Sequence, residues 1–383
     1  MRHHNSLMHD MLKFVPWDRF QQLVDEHGGD HRVRTLDSKS QFVALLHAQL
    51  SAASSLREIV SALESQRSRL YHLGVSAPKR STLADANASR PAAIFSALFG
   101  VLLKQAHRGL RRDTRDAIRL IDSTHMPLSS LSGTWASYGA ASHGTKMHVV
   151  YDPDAAIPVH FAVTAARIND ITAAKAMAIE PGVTYVFDLG YYDFGWWAGL
   201  DAKGCRFVTR LKTNTPTRVV ATRAVSAGGP ILDDRIVLLP ERLKASRRNP
   251  CARELREIIV RIDTGKTLRI VSNDLEAPAE DIAALYKTRW QIELFFRWVK
   301  QTLKIRRFLG TTENAVRAQL AIALIAYLLL RMAHAAQTAI TSLLTFTRLV
   351  RLNLFQFRSI HDLAAAEPFR KRSNEAQMEL LIS

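Results

Sequence analysis

Apolar residues recur at helical spacing through the first hundred positions and again after Pro278, whereas the middle of the chain alternates with the period of strands. Ser55-Leu-Arg-Glu58 is a capping-box sequence that opens a helix through Leu63. Ser81 is placed to cap a second short helix, Thr82 to Ala88, limited by Pro91. Between them Gly74 to Arg80 reads as a turn ending in Lys79 and Arg80. Two short helices and a basic turn suit a helix-turn-helix that binds DNA, and equally a plain helical bundle with a solvated basic face.

Strand texture begins at Ala117, with Ala117 to Ile121, Lys146 to Tyr151 and Ile157 to Thr164. The last two are joined by Asp152-Pro-Asp154 as a predicted hairpin. A helical stretch, Ile171 to Ile179, leads through Pro181-Gly182 to a fourth apolar strand, Thr184 to Phe187. This order predicts an α/β fold on a mixed sheet. Lys203 to Arg269 holds 16 lysines and arginines against 6 acidic residues. Its apolar pieces, Phe207 to Leu211, Ile231 to Leu239, Ile258 to Ile262 and Thr267 to Val271, are short and β-rich, so the segment reads as a basic β-rich insertion. A helix over Ala279 to Leu303 follows, then a longer apolar helix from Ala315 to about Ala336, and a polar end from Glu367 that is expected to fray.

With 383 residues, 47% hydrophobic and 23% charged, the chain suits two or three folded domains and excludes a largely disordered protein. Lysine and arginine number 52 against 35 acidic residues, giving a net charge of +17 and a pI near 10.2. That surplus points to a polyanionic partner, nucleic acid ahead of membrane. Two cysteines, Cys205 and Cys251, build neither a disulfide framework nor a zinc site, and they suit a reducing cytoplasm. The opening residues hold no apolar stretch long enough for a signal peptide. The longest apolar run, Ala321 to Leu330, falls short of the ~20 residues that cross a bilayer and reads as a buried core helix.

Chemistry enters with the helix after Pro278. Tyr286, Arg289, Glu293 and Lys300 stand at offsets that place them on one stripe, joined there by Arg297 and Lys304, while Ile292, Phe295, Phe296 and Val299 point elsewhere. A single carboxylate among cations is also what a solvated face with ordinary salt bridges looks like. Two aspartates sharpen the reading. Asp122 follows Arg119-Leu-Ile and Asp188 follows Tyr185-Val-Phe, and a carboxylate directly after a buried strand is costly unless it faces water, a partner or a site. With Glu293 they would supply three hard oxygen ligands of the kind that suits Mg²⁺ and two-metal phosphodiester chemistry.

These residues resemble the DDE insertion-sequence transposases, in the subgroup marked by a Tyr-x2-Arg-x3-Glu-x6-Lys element. Here it reads Tyr286-Lys-Thr-Arg289-Trp-Gln-Ile-Glu293-Leu-Phe-Phe-Arg-Trp-Val-Lys300, with every spacing kept. Arg80-Ser-Thr-Leu-Ala-Asp-Ala-Asn87 and Ile305-Arg-Arg-Phe-Leu-Gly310 are similar to family sequence as well. The resemblance implies a ribonuclease H-like mixed sheet flanked by helices, with an N-terminal helical DNA-binding region over 1–112 and a core whose first part spans 113–212. It further implies a β-rich insertion over 213–276, the second part of the core over 277–340 and a helical tail over 341–383. It implies that Asp122, Asp188 and Glu293 hold two Mg²⁺ ions, replaceable by Mn²⁺, and that Tyr286, Arg289 and Lys300 grip DNA phosphates; Arg297 on the cationic stripe and Lys79 and Arg80 in the basic turn are further candidates for DNA contact. The partners implied are terminal inverted repeats and target DNA, held by a homodimer on DNA, without membrane or nucleotide cofactor, in a bacterial cytoplasm.

One departure concerns relatives that stack an aromatic of the inserted domain on a flipped base. Between Gly204 and Leu285 this chain has no tryptophan or tyrosine and only Phe207, leaving Trp196, Trp197, Trp290 or Trp298 as stacking surfaces or as core. No phosphate-cradling glycine motif occurs, His27 and His31 flank Gly28-Gly29 as in a loop, and Asp122, Ser123 and His125 are too close in sequence to form a hydrolase triad readily. A nuclease without strand transfer and a non-catalytic DNA-binding relative are the alternatives.

Overall fold

The computed structural model describes residues 6–110, 117–242, 248–305 and 307–364, so the polar end expected from Glu367 lies outside the described residues. Seven helices open the chain: α1 (Leu7–Leu12), α2 (Trp17–Glu26), α3 (Ser38–Ser51), α4 (Leu56–Glu64), α5 (Arg67–His72), α6 (Arg80–Ser89) and α7 (Ala93–Leu110). Ser55 caps α4 as its sequence predicts, accepting the Glu58 N–H at 3.2 Å, but the Glu58 carboxylate reaches back to the Ser54 N–H at 2.7 Å instead of that of Ser55. The expected Ser81 cap does not form. The Lys79 carbonyl already accepts the Leu83 N–H at 2.9 Å, so α6 begins at Arg80 and Ser81 lies inside it.

The middle of the chain forms one sheet, with strands β1 (Ile118–Pro127), β2 (Gly144–Asp152), β3 (Ile157–Ala165), β4 (Thr184–Phe187), β5 (Arg206–Arg210), β6 (Arg218–Thr222), β7 (Ile231–Leu238), β8 (Leu255–Arg261) and β9 (Thr267–Ser272). Short helices α8 (Gly133–Ala136), α9 (Asp170–Ala176) and α10 (Phe194–Ala202) connect the earlier strands. The strand order is β3-β2-β1-β4-β5-β9-β8-β7-β6, with β1, β4 and β5 parallel and the other neighbours antiparallel, the mixed sheet that the strand and helix order predicts. The basic insertion continues this sheet because β9 pairs with β5. Its outer strand β6, exposed along its whole length, was not among the sequence-predicted strands.

Both faces of the sheet are covered, and strand alternation divides the core between them. Leu120, Val149, Val186, Val208 and Ile270 face one cluster, whereas their neighbours Ile121, Val150, Phe187, Phe207 and Val271 face a second one containing Trp196, Trp197 and Leu200 of α10. The larger cluster lies under α11 (Ala279–Thr288), α12 (Trp290–Thr302) and α13 (Glu313–Ala335), with α14 (Leu343–Asn353) behind. The single helix expected over Ala279 to Leu303 is broken at Arg289, where i to i+3 bonds from Arg289 to Tyr286 and from Ile292 to Arg289 tighten the turn. At 23 residues α13 is long and apolar enough to cross a membrane, yet it is almost wholly buried between α7, α3 and the sheet. At its start, Asn314 clamps the junction of α6 and α7, accepting the Ala92 N–H at 3.0 Å and donating to the carbonyls of Asn87 and Arg90.

Candidate active site

Register places the first two acids side by side. The parallel pairing of β1 with β4 ends at Ile121 opposite Phe187, and the next residue on each chain is an aspartate. Asp188 ends its strand as expected, whereas Asp122 lies within β1, because β2 goes on pairing with that strand to Pro127. Since Ile121 and Phe187 face the α10 cluster, alternation turns the next residue of β1 toward the helices α11 to α13. Asp122 accepts the Ser123 N–H at 2.7 Å, and Asp188 accepts the Gly190 N–H at 2.8 Å in the turn after β4.

The third acid arrives on α12, whose Ile292, Phe295, Phe296 and Val299 are buried in the larger core cluster. Anchoring that face leaves Glu293 with Ser123, Thr124, Arg297, Lys300 and Asp122 around an open cleft of about 320 Å³. Arg289 stands between two of the acids, its Nη1 at 2.6 Å from Glu293 and 3.8 Å from Asp122. Its guanidinium carbon lies 5.8 Å from the centre of the Tyr286 ring, and Arg210 approaches the same ring at 6.0 Å. The stripe is therefore not wholly polar: Tyr286 is buried, which pushes its phenol up, against the pull of the two arginines. Lys300 donates to the His125 carbonyl at 2.9 Å, tying α12 to β1.

Burial pushes the Asp122 carboxyl up to about 7; the charges of Asp188 and Glu293 act in the same direction, opposed by the Ser123 N–H and Arg289. A raised carboxyl binds its proton more tightly folded than unfolded, so the stability it lends below pH ~4 is lost as pH rises through about 7. We therefore expect Asp122→Asn to stabilise the cation-free protein at pH 8 by on the order of 2 kcal/mol, with the gain gone at pH 4. Urea unfolding in a chelator at the two pH values measures this, and equal stability of both proteins at pH 8 would contradict it.

Among the described residues no group of three or more His, Cys, Asp or Glu side chains stands as a ready-made metal cage. The two acids nearest Arg289 are linked through its guanidinium. Arg297 is exposed at the cleft, while Lys79 and Arg80, exposed at the start of α6, are not brought to it by any side-chain hydrogen bond or ion pair among the described residues. Of the four tryptophans considered for stacking, Trp196 and Trp197 are core, Trp298 is half-buried, and Trp290, beside Arg289, is 54% exposed. Phe207 is fully buried. Sequence reasoning missed Asp170, whose Oδ1 accepts from Ser123 Oγ at 2.8 Å; its only signal was an acid in the first turn of a helix.

The family model described as a transposase DDE domain matches residues 113–329, and one described as a domain of unknown function (DUF4372) matches residues 3–76. The chain is 46% identical over 294 residues to a putative transposase y4zB of Sinorhizobium fredii, covering 76% of this chain and 80% of that protein. It is 28% identical over 342 residues to a probable transposase for insertion sequence element IS5377 of Geobacillus stearothermophilus, covering 86% of this chain and 85% of that one. A solved piggyBac transposase synaptic complex with hairpin DNA overlays it with a TM-score of 0.47 at 10% identity, covering all of this chain and 86% of that chain, a likeness too distant to support a conclusion.

Proposed function

The chain belongs to the transposase DDE-domain family, and on that premise we propose that it cuts DNA at the ends of its own insertion sequence and joins the 3′-hydroxyl ends to target DNA. The observation that carries this is the register: two aspartates side by side where β1 and β4 part, with α12 bringing Glu293 to the cleft that Asp122 lines.

Divalent-cation dependence goes with the family, and we read the ions as a pair of Mg²⁺, with Mn²⁺ able to replace them. The donor set fits. Asp122, Asp188 and Glu293 offer hard oxygens; burial first, and then the charges of Asp188 and Glu293, raise the Asp122 carboxyl, and a divalent charge would offset both. When bound, such ions supply Lewis-acid activation of the attacking oxygen and stabilisation of the leaving one.

The protein's own residues do the rest. Arg289, released from Glu293, offers a flat fork to a phosphate, with the Tyr286 ring within cation–π range of it. Lys300 and Arg297 extend the cationic rim of the cleft, and Lys79 and Arg80 grip DNA from the helical region. Holding two ends at once calls for a homodimer on DNA, acting on chromosomal or plasmid DNA in a bacterial cytoplasm. Incubation with a labelled element end, a supercoiled plasmid and Mg²⁺ tests the proposal. End fragments joined to plasmid are expected; cut ends that are never joined would reduce the activity to that of a nuclease.

A further inference from the structure

We propose that Asp170 is a positioning residue for this reaction, fixing Asp122 through Ser123 and backing Asp188 across Gly190. The inference rests on the reading of Asp122, Asp188 and Glu293 as the reacting acids.

Asp170 is the first residue of α9, the helix that leads from β3 to β4. Its Oδ1 accepts from Ser123 Oγ at 2.8 Å and from Lys146 Nζ at 3.0 Å, with His148 Nδ1 at 3.7 Å. Lys146 is held in turn by the Ile168 carbonyl at 3.1 Å. Ser123 is the link: its hydroxyl is committed to Asp170 while its N–H holds Asp122 Oδ1 at 2.7 Å. On the other side, a Cβ placed on Gly190 would stand 3.3 Å from Asp170 Oδ2 and 3.0 Å from Asp188 Oδ1, so a bare backbone separates the two carboxylates. Any side chain there would press on both.

Next to this arrangement Tyr191 is 1% exposed, and its hydroxyl has no hydrogen-bond partner among the described residues. Burial first, then the charges of Asp122, Asp170 and Asp188, push its phenol far up, so the ring lies in the field of all three aspartates. Lys146 balances the charge of Asp170, which makes the contribution of Asp170 one of geometry. Residues that orient metal ligands matter in proportion: their loss costs ~10 to 100-fold in metal affinity or activity.

The test uses the full-length protein and Mn²⁺ alone, read by electron paramagnetic resonance, beside cleavage of a labelled element end. Asp170→Ala and Ser123→Ala should each weaken Mn²⁺ binding by about tenfold and slow cleavage by roughly 30-fold, with DNA binding and melting temperature near wild type. The double variant should be no worse than Asp170→Ala alone, because Ser123→Ala cuts a link that Asp170→Ala has already cut. Asp170→Asn retains an acceptor oxygen for Ser123 and Lys146 and should recover to within about threefold of wild type. If the alanine variant at 170 fails to fold, Ser123→Ala alone carries the test. Wild-type Mn²⁺ binding and cleavage in the variants would overturn the inference, as would Asp170→Asn being as damaged as Asp170→Ala, since charge rather than position would then matter. A wild-type protein that neither binds Mn²⁺ nor cuts would instead overturn the assignment of the three acids.

Discussion

Asp122→Asn, Asp188→Asn and Glu293→Gln are each expected to slow end cleavage by at least roughly 10³-fold while leaving binding of the same end within about threefold. The amide keeps the shape of the side chain, so β1, the turn after β4 and α12 should hold their places. What it removes is the negative charge, leaving a neutral carbonyl oxygen that would hold a divalent cation far more weakly. The three changes should not compound, because a site missing one acid has already lost the arrangement that the others serve. Single-turnover cleavage of a labelled end, with gel-shift binding measured in parallel, separates the two effects. Cleavage at the wild-type rate in any one variant would remove that residue from the site.

Arg289→Ala should cost roughly 10²-fold in cleavage and also flatten the salt dependence of end binding by about one phosphate contact. Two features support a large effect. Without DNA, the guanidinium sits 2.6 Å from Glu293 and 3.8 Å from Asp122, where it neutralises a cleft that would otherwise hold mutually repelling acids. Its guanidinium carbon lies 5.8 Å from the centre of the Tyr286 ring and 5.9 Å from that of Trp290, within cation–π range of both. Arg289→Lys restores the charge but not the fork, so it should recover the salt slope while staying at least about tenfold slow. Binding measured across a salt series, together with cleavage under saturating protein, checks both parts. An unchanged slope in the alanine variant would mean that Arg289 touches no phosphate.

The strand-helix order, both strand-linked aspartates and the spaced element were legible in the sequence because each rests on local pattern. Tyr185-Val-Phe before Asp188 is a buried strand with an acid at its end, and the structure puts it there. Asp122 shows the limit. After Ile121 the apolar run breaks into Asp-Ser-Thr-His, which reads as the end of a strand, but pairing with β2 carries β1 six residues further. Pairing partners, not composition, decide where a strand stops. The stripe was read on one continuous helix, whereas the helix breaks at Arg289, and Tyr286 is buried beside two guanidinium groups that no helical wheel can place. Asp170 was invisible for the same reason: its partners Ser123 and Lys146 come from β1 and β2, and only the folded sheet brings them together. Strand β6 escaped notice because an exposed edge strand has no buried face to show in its pattern.

The apolar pillar α13 lies late in the chain yet supports its beginning, packing on α3, α6 and α7 and pinning the α6–α7 junction through Asn314. The amino-terminal region therefore lacks its main support until translation has passed residue 335. A premature stop codon upstream should consequently leave a fragment destined for proteolysis instead of a stable competitor for the element's ends, so that a decayed copy of the gene would fall silent without poisoning its intact siblings.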